Sequence, residues 1–249
     1  MEIYIGTSGW HYKHWKGNFY PARIAHSEML RWYAQRLRTI EINNCFYRLP
    51  TPETVQSWVE QTPADFCFSL KASRYITHNR KLIDPEQTTL KFLEMARGFG
   101  KKLGPIVFQL PPSWSMNEER LAGLLKALPT KYKYAFEFRH PSWHTPAIYR
   151  ALRKFNAALC IFEIAGMQSP LEVTADFVYV RLHGPGKAYQ GKYSPGALHR
   201  WAERIEEWTS EHRKVFFYFD NDQSGFAAEN AVELSQLIGE SVPSGGLSL

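Results

Sequence analysis

The stretch Tyr134-Ala-Phe-Glu-Phe-Arg-His-Pro-Ser-Trp143 has the alternation of a β-strand that runs into a proline turn. It places Phe136 and Phe138 on one face of the strand, and Glu137 and Arg139 on the other. In an open sheet the charged face would point to water. In a closed barrel the apolar face packs on surrounding helices and the polar face points to the barrel axis. The rest of the chain decides between these two structures.

Strand-like and helix-like segments alternate along the whole chain. The predicted strands lie near Ile3–Gly6, Thr39–Asn43, Phe66–Lys71, Ile106–Leu110, Tyr134–Arg139, Ala158–Glu163, Val178–His183 and Val215–Asp220. The predicted helices are Ser27–Leu37, Pro52–Gln61, Pro85–Phe99, Asn117–Leu128, Pro146–Phe155, Pro195–Glu211 and Ala227–Ile238. Alternation of this kind requires parallel pairing, and eight units in this length are typical of an α/β fold of the (β/α)8 TIM-barrel type. A doubly wound open sheet is the alternative.

The link between the sixth and seventh strands, from Glu163 to Phe177, is too short and too rich in glycine and proline for a full helix. We therefore expect a missing or irregular helix there. Because no linker divides the 249 residues, the sequence predicts one domain over 1–240 and a loosely ordered tail from Ser241 to Leu249.

Composition limits the classes of function. No apolar run approaches the roughly 20 residues of a membrane span, and the chain opens directly into a strand, which predicts a cytoplasmic protein with no membrane partner. The three cysteines are not closely spaced, so they indicate neither a disulfide framework nor a cysteine metal cluster. The net charge of +6 favours a small anionic or phosphorylated ligand, but it is spread along the chain and does not single out nucleic acid as the partner.

Polar residues recur on the face of the strands that would point to the barrel axis, near the carboxyl ends where barrel enzymes keep their chemistry. This inward set is Glu41, Asn43, Lys71, Gln109, Glu137, Arg139, Glu163, Arg181, His183 and Asp220. Two carboxylates and a histidine can act as acid and base, so Glu137 and Glu41 are the candidate acid and base and His183 the candidate proton shuttle. The alternative is a salt-bridge network without catalysis, such as Glu137 with Arg181 or Glu41 with Lys71.

The candidate substrate-binding residues combine cations, amides, aromatic rings and loop glycines. The loops after the seventh and eighth strands, His183–Tyr193 and Asn221–Phe226, contain glycines whose N–H groups could hold a phosphate, although turns alone also explain them. The binding set is Asn43, Lys71, Gln109, Arg139, Arg181, Trp10, Trp143, Gly184, Gly186, Lys187 and Asn221. A divalent metal on Glu41, Glu137, His183 and Asp220 is possible but not favoured, because the chain has no local metal-binding signature.

Several motifs together resemble one known family. They are Gly6-Thr-Ser-Gly-Trp-His-Tyr12, Glu41-Ile-Asn-Asn-Cys-Phe-Tyr47, Lys71 with Thr77-His78, Phe108-Gln-Leu-Pro-Pro112, Glu137-Phe-Arg-His140, Arg181-Leu-His-Gly184 and Tyr218-Phe-Asp-Asn-Asp222. In this order, over nearly the whole chain, they resemble the YecE-like family, named as domain of unknown function 72. The resemblance implies a single-domain TIM barrel but supplies no reaction.

Three functions are compatible with these patterns. The first is an enzyme that performs acid-base or hydrolytic chemistry on an anionic small molecule at the mouth of the barrel. The second is a metal-dependent phosphoesterase or nuclease, and the third is a non-catalytic ligand-binding protein. The first is favoured, because the inward polar set and the glycine-rich loops meet at one end of the barrel.

Overall fold

A computed structural model describes residues 2–239. The strands are β1 Ile3–Ser8, β2 Thr39–Ile42, β3 Cys67–Lys71, β4 Leu103–Leu110, β5 Tyr134–Phe138, β6 Ala158–Ile164, β7 Met167–Gln168, β8 Phe177–Leu182 and β9 Lys214–Phe219. The α-helices are α1 Met29–Ala34, α2 Asn44–Tyr47, α3 Pro52–Glu60, α4 Pro85–Arg97, α5 Glu118–Ala127, α6 Pro146–Lys154, α7 Pro195–Ser210 and α8 Phe226–Leu237. The predicted tail from Ser241 to Leu249 lies outside the described residues.

Eight strands form a closed parallel barrel. The hydrogen-bonded order runs from β1 through β2, β3, β4, β5, β6 and β8 to β9, and β9 pairs with β1 in a register that places Gly6 opposite Tyr218. The predicted single-domain (β/α)8 barrel is confirmed, and the open doubly wound sheet is wrong.

The connection between β6 and β8 departs from the strand–helix repeat, as predicted. Residues 165–176, all of them described, contain the short β7, which pairs antiparallel to β6, and no helix. The barrel therefore lacks one helix of its outer layer at this point.

Side chains alternate between the helix layer and the barrel interior. Ile40 and Ile42 of β2 belong to the large apolar cluster that also contains helix residues such as Leu121 and Leu198. A second cluster is built almost wholly from strand residues and fills the interior: Cys67, Val107, Ala135, Ala158, Cys160, Phe162, Ala175, Phe177, Tyr179, Phe216 and Tyr218. The polar side chains of the next inward positions consequently meet at the carboxyl ends of the strands, here called the mouth.

Side-chain caps are present at the first turns of two predicted helices. Thr51 and Asn117 accept hydrogen bonds from backbone N–H groups in the first turns of α3 and α5. Ser27 does not cap α1, since it lies inside a short 3-10 helix at His26–Glu28. Within the described part of the chain, no helix is long and apolar enough to cross a membrane.

Candidate functional site

The guanidinium of Arg181 lies at the centre of the mouth and binds three carboxylates, one from β2, one from β5 and one from the residue that follows β9. It donates to Oε1 of Glu41 from Nε at 3.1 Å and from Nη2 at 2.7 Å. Nη1 donates to Oε2 of Glu137 at 2.5 Å, and Nη2 lies 3.2 Å from Oδ2 of Asp220. The side chains of Arg181, Glu41 and Glu137 have no exposed surface. Arg181 therefore contacts three carboxylates in a region from which water is largely excluded, and Arg139 and His183 bind two of the three as well.

Two further residues complete the environment of Glu41. The hydroxyl of Ser8 donates to Oε1 and that of Tyr179 donates to Oε2, both at 2.6 Å. The predicted pairing of Glu41 with Lys71 is wrong, because Glu41 pairs with Arg181 instead. Ser8 and Tyr179 were absent from the predicted site, although both occupy inward positions of the same alternation.

Glu137 is held between two arginines. Arg139 Nε donates to Oε1 at 2.6 Å, while Arg181 binds Oε2. Burial opposes ionisation of Glu137, but the two guanidinium charges outweigh it and hold the pKa of this carboxyl well below its usual value. A carboxylate that stays ionised near neutral pH is poorly suited to donate or store a proton. The electrostatics therefore favour a structural role for Glu137 over the predicted acid role.

His183 and Asp220 form a buried pair beside this cluster. Nδ1 of His183 lies 2.9 Å from Oδ2 of Asp220, and Nε2 lies 3.3 Å from Nη2 of Arg139. Burial alone would raise the pKa of Asp220, but the hydrogen bond from His183 and the charge of Arg181 lower it. An ionised Asp220 accepts the Nδ1 proton and leaves Nε2 as the proton acceptor. Nε2 also lies 3.4 Å from Nη1 of Arg181, so a ligand could use it only after the arginines shift, and proton shuttling by His183 stays a prediction.

The ammonium of Lys71 differs from the other charges at the mouth. Among the described residues, no carboxylate lies within 4.0 Å of it, while the ring of Phe46 lies 4.4 Å away. Lys71 is half-buried at the end of β3. Burial, together with the positive charge of Arg181, lowers the pKa of Lys71 to about 8. Such a cation is available to a ligand.

More positive charge surrounds His78, in a π-helical turn at Tyr75–Asn79 that follows β3. Burial and the charges of Lys71, Arg74 and Arg139 lower the pKa of His78 to about 4, so its imidazole is neutral at pH 7. Its Nδ1 lies 2.9 Å from Oγ1 of Thr77. This side of the mouth therefore combines three cations with a neutral histidine.

The carboxylates do not form a vacant metal site. Arg181 lies among Glu41, Glu137 and Asp220 at the position that a divalent ion would need. Over residues 2–239, no group of three or more His, Cys, Asp or Glu side chains is placed to hold a metal ion. The predicted metal-ligand set, which also includes His183, therefore does not fit a metal.

Asp222 also lies apart from the carboxylate cluster. Its Oδ1 accepts from Nε1 of Trp15 at 2.6 Å, and its Oδ2 lies 3.3 Å from Nε2 of His14. Burial raises the pKa of Asp222 to about 6. It is consequently a titrating carboxyl at the edge of the mouth.

Groups of the glycine-rich loop after β8 that could hold a phosphate are hydrogen-bonded or ion-paired to other parts of the protein. The N–H of Gly184 donates to the hydroxyl of Tyr193, and Lys192 pairs with Glu229 and Glu233 of α8. A Cβ at Gly184 would lie 2.4 Å from a backbone oxygen, and its φ is +114°, so the chain requires glycine here. These partners remove the Gly184 N–H group and Lys192 from the groups free to hold phosphate.

Asn221 also has an internal role. It is fully buried and donates to the carbonyl of Gly191 and to the side chain of Asn230, so it joins the two loops to α8. Gly186 and Lys187, by contrast, are exposed. They lie at the tip of the loop after β8.

Tyr189 of the same loop covers the buried pair. Its hydroxyl accepts from Nη1 of Arg139 at 3.0 Å, and its ring packs edge-on against His183 with centroids 5.4 Å apart. Tyr189 therefore joins the loop after β8 to Arg139 and His183.

The predicted tryptophans are packing residues in this structure. Trp143 is fully buried, stacks on Phe138 with centroids 4.8 Å apart and donates to the carbonyl of Trp114. Trp10 is 5% exposed and packs edge-on against Trp58. We therefore leave Trp10 and Trp143 out of the proposed ligand site.

Three other residues of the predicted inward set are Gln109, Asn43 and Glu163, and the structure contradicts that prediction only for Glu163. Gln109 is inward and lies next to Glu137 in the β4–β5 register, whereas Oδ1 of Asn43 is buried with no hydrogen-bond partner among the described residues. Placing Glu163 in the inward set is wrong. The interior cluster contains Ala158, Cys160 and Phe162 of β6, so Glu163 lies on the outer face of that strand.

The fold and the mouth define a (β/α)8-barrel protein with a buried network of charges at the carboxyl ends of the barrel strands. Residues 4–246 match the family model described as "Protein of unknown function DUF72", and the chain belongs to this family.

Relatives agree with this assignment. The UPF0759 protein YunF of Bacillus subtilis is 27% identical over 95% of this chain and 94% of its own length. The UPF0759 protein YecE of Escherichia coli K12 is 32% identical over 57% of this chain and 50% of its own. A DUF72 family crystal structure from Thermotoga maritima is 26% identical, with a TM-score of 0.88 over 96% of this chain and all of the other. A second, from Enterococcus faecalis, is 23% identical with a TM-score of 0.80 and supports the fold alone.

Proposed function

We propose that the protein is an enzyme that binds an anionic or phosphorylated small molecule at the mouth of the barrel and performs acid-base or hydrolytic chemistry there. The observation that carries this proposal is the ammonium of Lys71, a half-buried cation without a carboxylate within 4.0 Å among the described residues. Burying a cation without a partner costs free energy that a ligand anion would offset.

Arg139 and Lys71 are the groups proposed to hold the anion. Arg139 already donates to Glu137 and His183, but its third contact is to the hydroxyl of the exposed Tyr189. A ligand oxygen that replaced this hydroxyl would keep Arg139 satisfied and release the loop over His183.

His183 is proposed to move the proton. Asp220 accepts from Nδ1 and fixes the ring, so the reacting nitrogen is Nε2. Glu137 and Glu41 are assigned to holding Arg181 and Arg139 in place, because both carboxylates are buried and fully engaged. A cytoplasmic location belongs to the same proposal and is supported by the three cysteines, which are buried and free.

The metal-dependent alternative is less well supported, because Arg181 fills the space between the carboxylates. The non-catalytic alternative shares the ligand site and differs only in turnover. Ligand identification therefore comes before any assay of activity.

Ligand-dependent thermal unfolding tests the proposal. A panel of phosphorylated metabolites, with glycerol 3-phosphate as the simplest member, is compared on wild type, Lys71→Met and a control, Lys126→Met, on the exposed end of α5. A ligand at a hundred times its Kd stabilises a protein by about 2.7 kcal/mol, or about 5–10 °C for a chain of this size. We expect such a shift for wild type and Lys126→Met, and its loss in Lys71→Met. Equal shifts in all three proteins, or none with any anion, would contradict the proposal.

A further inference from the structure

The geometry around Lys71 points to a covalent role for its amine. We infer that Nζ of Lys71 forms an iminium with an aldehyde or ketone that also carries a carboxylate or phosphate. This inference rests on the proposed function and names the substrate class for the same site.

The first support is the placement of the amine. Lys71 ends β3, so its side chain rises from a rigid barrel strand at the mouth. Its nitrogen lies over the Phe46 ring instead of in an ion pair, although Glu41, Glu137 and Asp220 are all nearby and bound to Arg181. Because these carboxylates pair with Arg181, none of them forms an ion pair with Lys71 that would stabilise its protonated form.

The second support is the protonation state. With a pKa of about 8, about a quarter of Lys71 is the free amine at pH 7.5, against roughly a thousandth of an ordinary lysine. Only the free amine is nucleophilic. The fraction of Lys71 that is the reactive free amine is therefore about two-hundredfold larger than that of a surface lysine.

The third support is a neutral histidine that contacts the same Phe46 ring as the amine. His78 packs edge-on against Phe46, with ring centroids 5.0 Å apart, and the charge of Lys71 contributes to its lowered pKa. With a pKa of about 4 His78 is too weak a base to take the amine proton, but its neutral ring adds no positive charge that would oppose formation of the cationic iminium. Arg74 and Arg139 add positive charge on the same side for the carboxylate or phosphate.

The covalent step needs only the carbonyl compound and one net proton, which solvent supplies at the partly exposed amine, and it releases one water. The free amine attacks the carbonyl carbon, a C–N bond forms, and the π electrons move to oxygen, which takes a proton. The nitrogen loses a proton to give a neutral carbinolamine. The C–O bond then breaks as the oxygen leaves as water after a second proton transfer, and the nitrogen lone pair forms the C=N bond of the iminium.

Borohydride trapping tests the inference on the full chain. The protein is mixed at pH 7.5 with pyruvate, glyoxylate or dihydroxyacetone phosphate, reduced with sodium borohydride and mapped by peptide mass spectrometry. We expect Lys71 to be labelled at least about tenfold faster than the surface lysines by one or more of the three probes. Lys71→Arg, which keeps the charge, should lose this fast label, while Lys126→Arg should keep it. Melting curves establish that both variants fold.

The outcomes separate the inference from the proposed function. If Lys71 is labelled no faster than surface lysines by any of the three probes, the inference is wrong. Stabilisation by glycerol 3-phosphate, which has no carbonyl, would then still support the proposed anion site. Preferential labelling that also occurs with acetone, and is not slowed by excess glycerol 3-phosphate, would overturn the anionic substrate class.

Discussion

Removing the Arg181 guanidinium should strongly destabilise the protein. In Arg181→Met, the buried Glu41 and Glu137 and the largely buried Asp220 lose four charge-assisted hydrogen bonds. Breaking a buried ion pair by removing one partner typically costs about 3–5 kcal/mol. For a chain of this length, that loss corresponds to a decrease in Tm of about 6–20 °C.

The loss should also depend on pH. In wild type the pKa of Glu137 is lowered, so its contribution to stability is present above the unfolded pKa near 4.5 and is lost as pH falls through the lower folded value. In Arg181→Met, the buried carboxylate of Glu41 loses its cationic partner, so its pKa rises and it can become protonated above pH 5. The difference in stability between the two proteins should therefore shrink between pH 7.5 and pH 5.

Urea unfolding at both pH values, with circular dichroism as the signal, measures this difference. The matched control is the double variant Glu41→Gln with Arg181→Met, which removes one of the stranded charges and should recover about 1 kcal/mol or more at pH 7.5. The reasoning is refuted if Arg181→Met lies within about 1 kcal/mol of wild type at pH 7.5, or if its deficit is the same at pH 5.

Three further variants test other parts of the structure. Gly184→Ala should lower the free energy of unfolding, measured by urea unfolding, by about 2 kcal/mol or more, because Gly184 has a positive φ and a close backbone contact. Gly186→Ala is the control, since Gly186 has open space around it, and it should change the free energy of unfolding by less than about 0.5 kcal/mol. Thr51→Ala should cost about 1 kcal/mol through loss of a helix cap, whereas Ser27→Ala should cost less than half of that; equal losses would contradict the capping assignment. Lys71→Met should retain or gain stability without ligand at pH 7, since it replaces a desolvated cation, and a loss above about 2 kcal/mol in thermal melts would show that the ammonium has a partner.

The alternation of polar and apolar residues was enough to predict the barrel. In β5, Phe136 and Phe138 pack in the outer apolar cluster while Glu137 points inward, as the sequence indicated. In β6 the prediction was wrong for Glu163, because both faces of that strand are apolar up to Phe162 and the alternation carries no information on its direction.

The pairing within the site was predicted only in part: the pairing of Glu137 with Arg181 is confirmed, whereas that of Glu41 with Lys71 is wrong. Glu41 contacts Arg181 across 140 positions of sequence, and whether Arg181 or Lys71 reaches this carboxylate depends on barrel register and side-chain length. The contributions of Ser8 and Tyr179 follow from their inward positions, but a search for ionisable residues alone misses them.

The titration of Lys71 shows whether the mouth holds an uncompensated amine. With reductively ¹³C-methylated lysines, NMR assigned by comparison with Lys71→Arg gives the titration midpoint of this one amine. We expect a midpoint near pH 8 in the free protein, and a higher midpoint once a phosphorylated ligand neutralises the positive charge of the mouth. A midpoint near the ordinary lysine value of about 10.4, unchanged by every anion, would contradict this expectation.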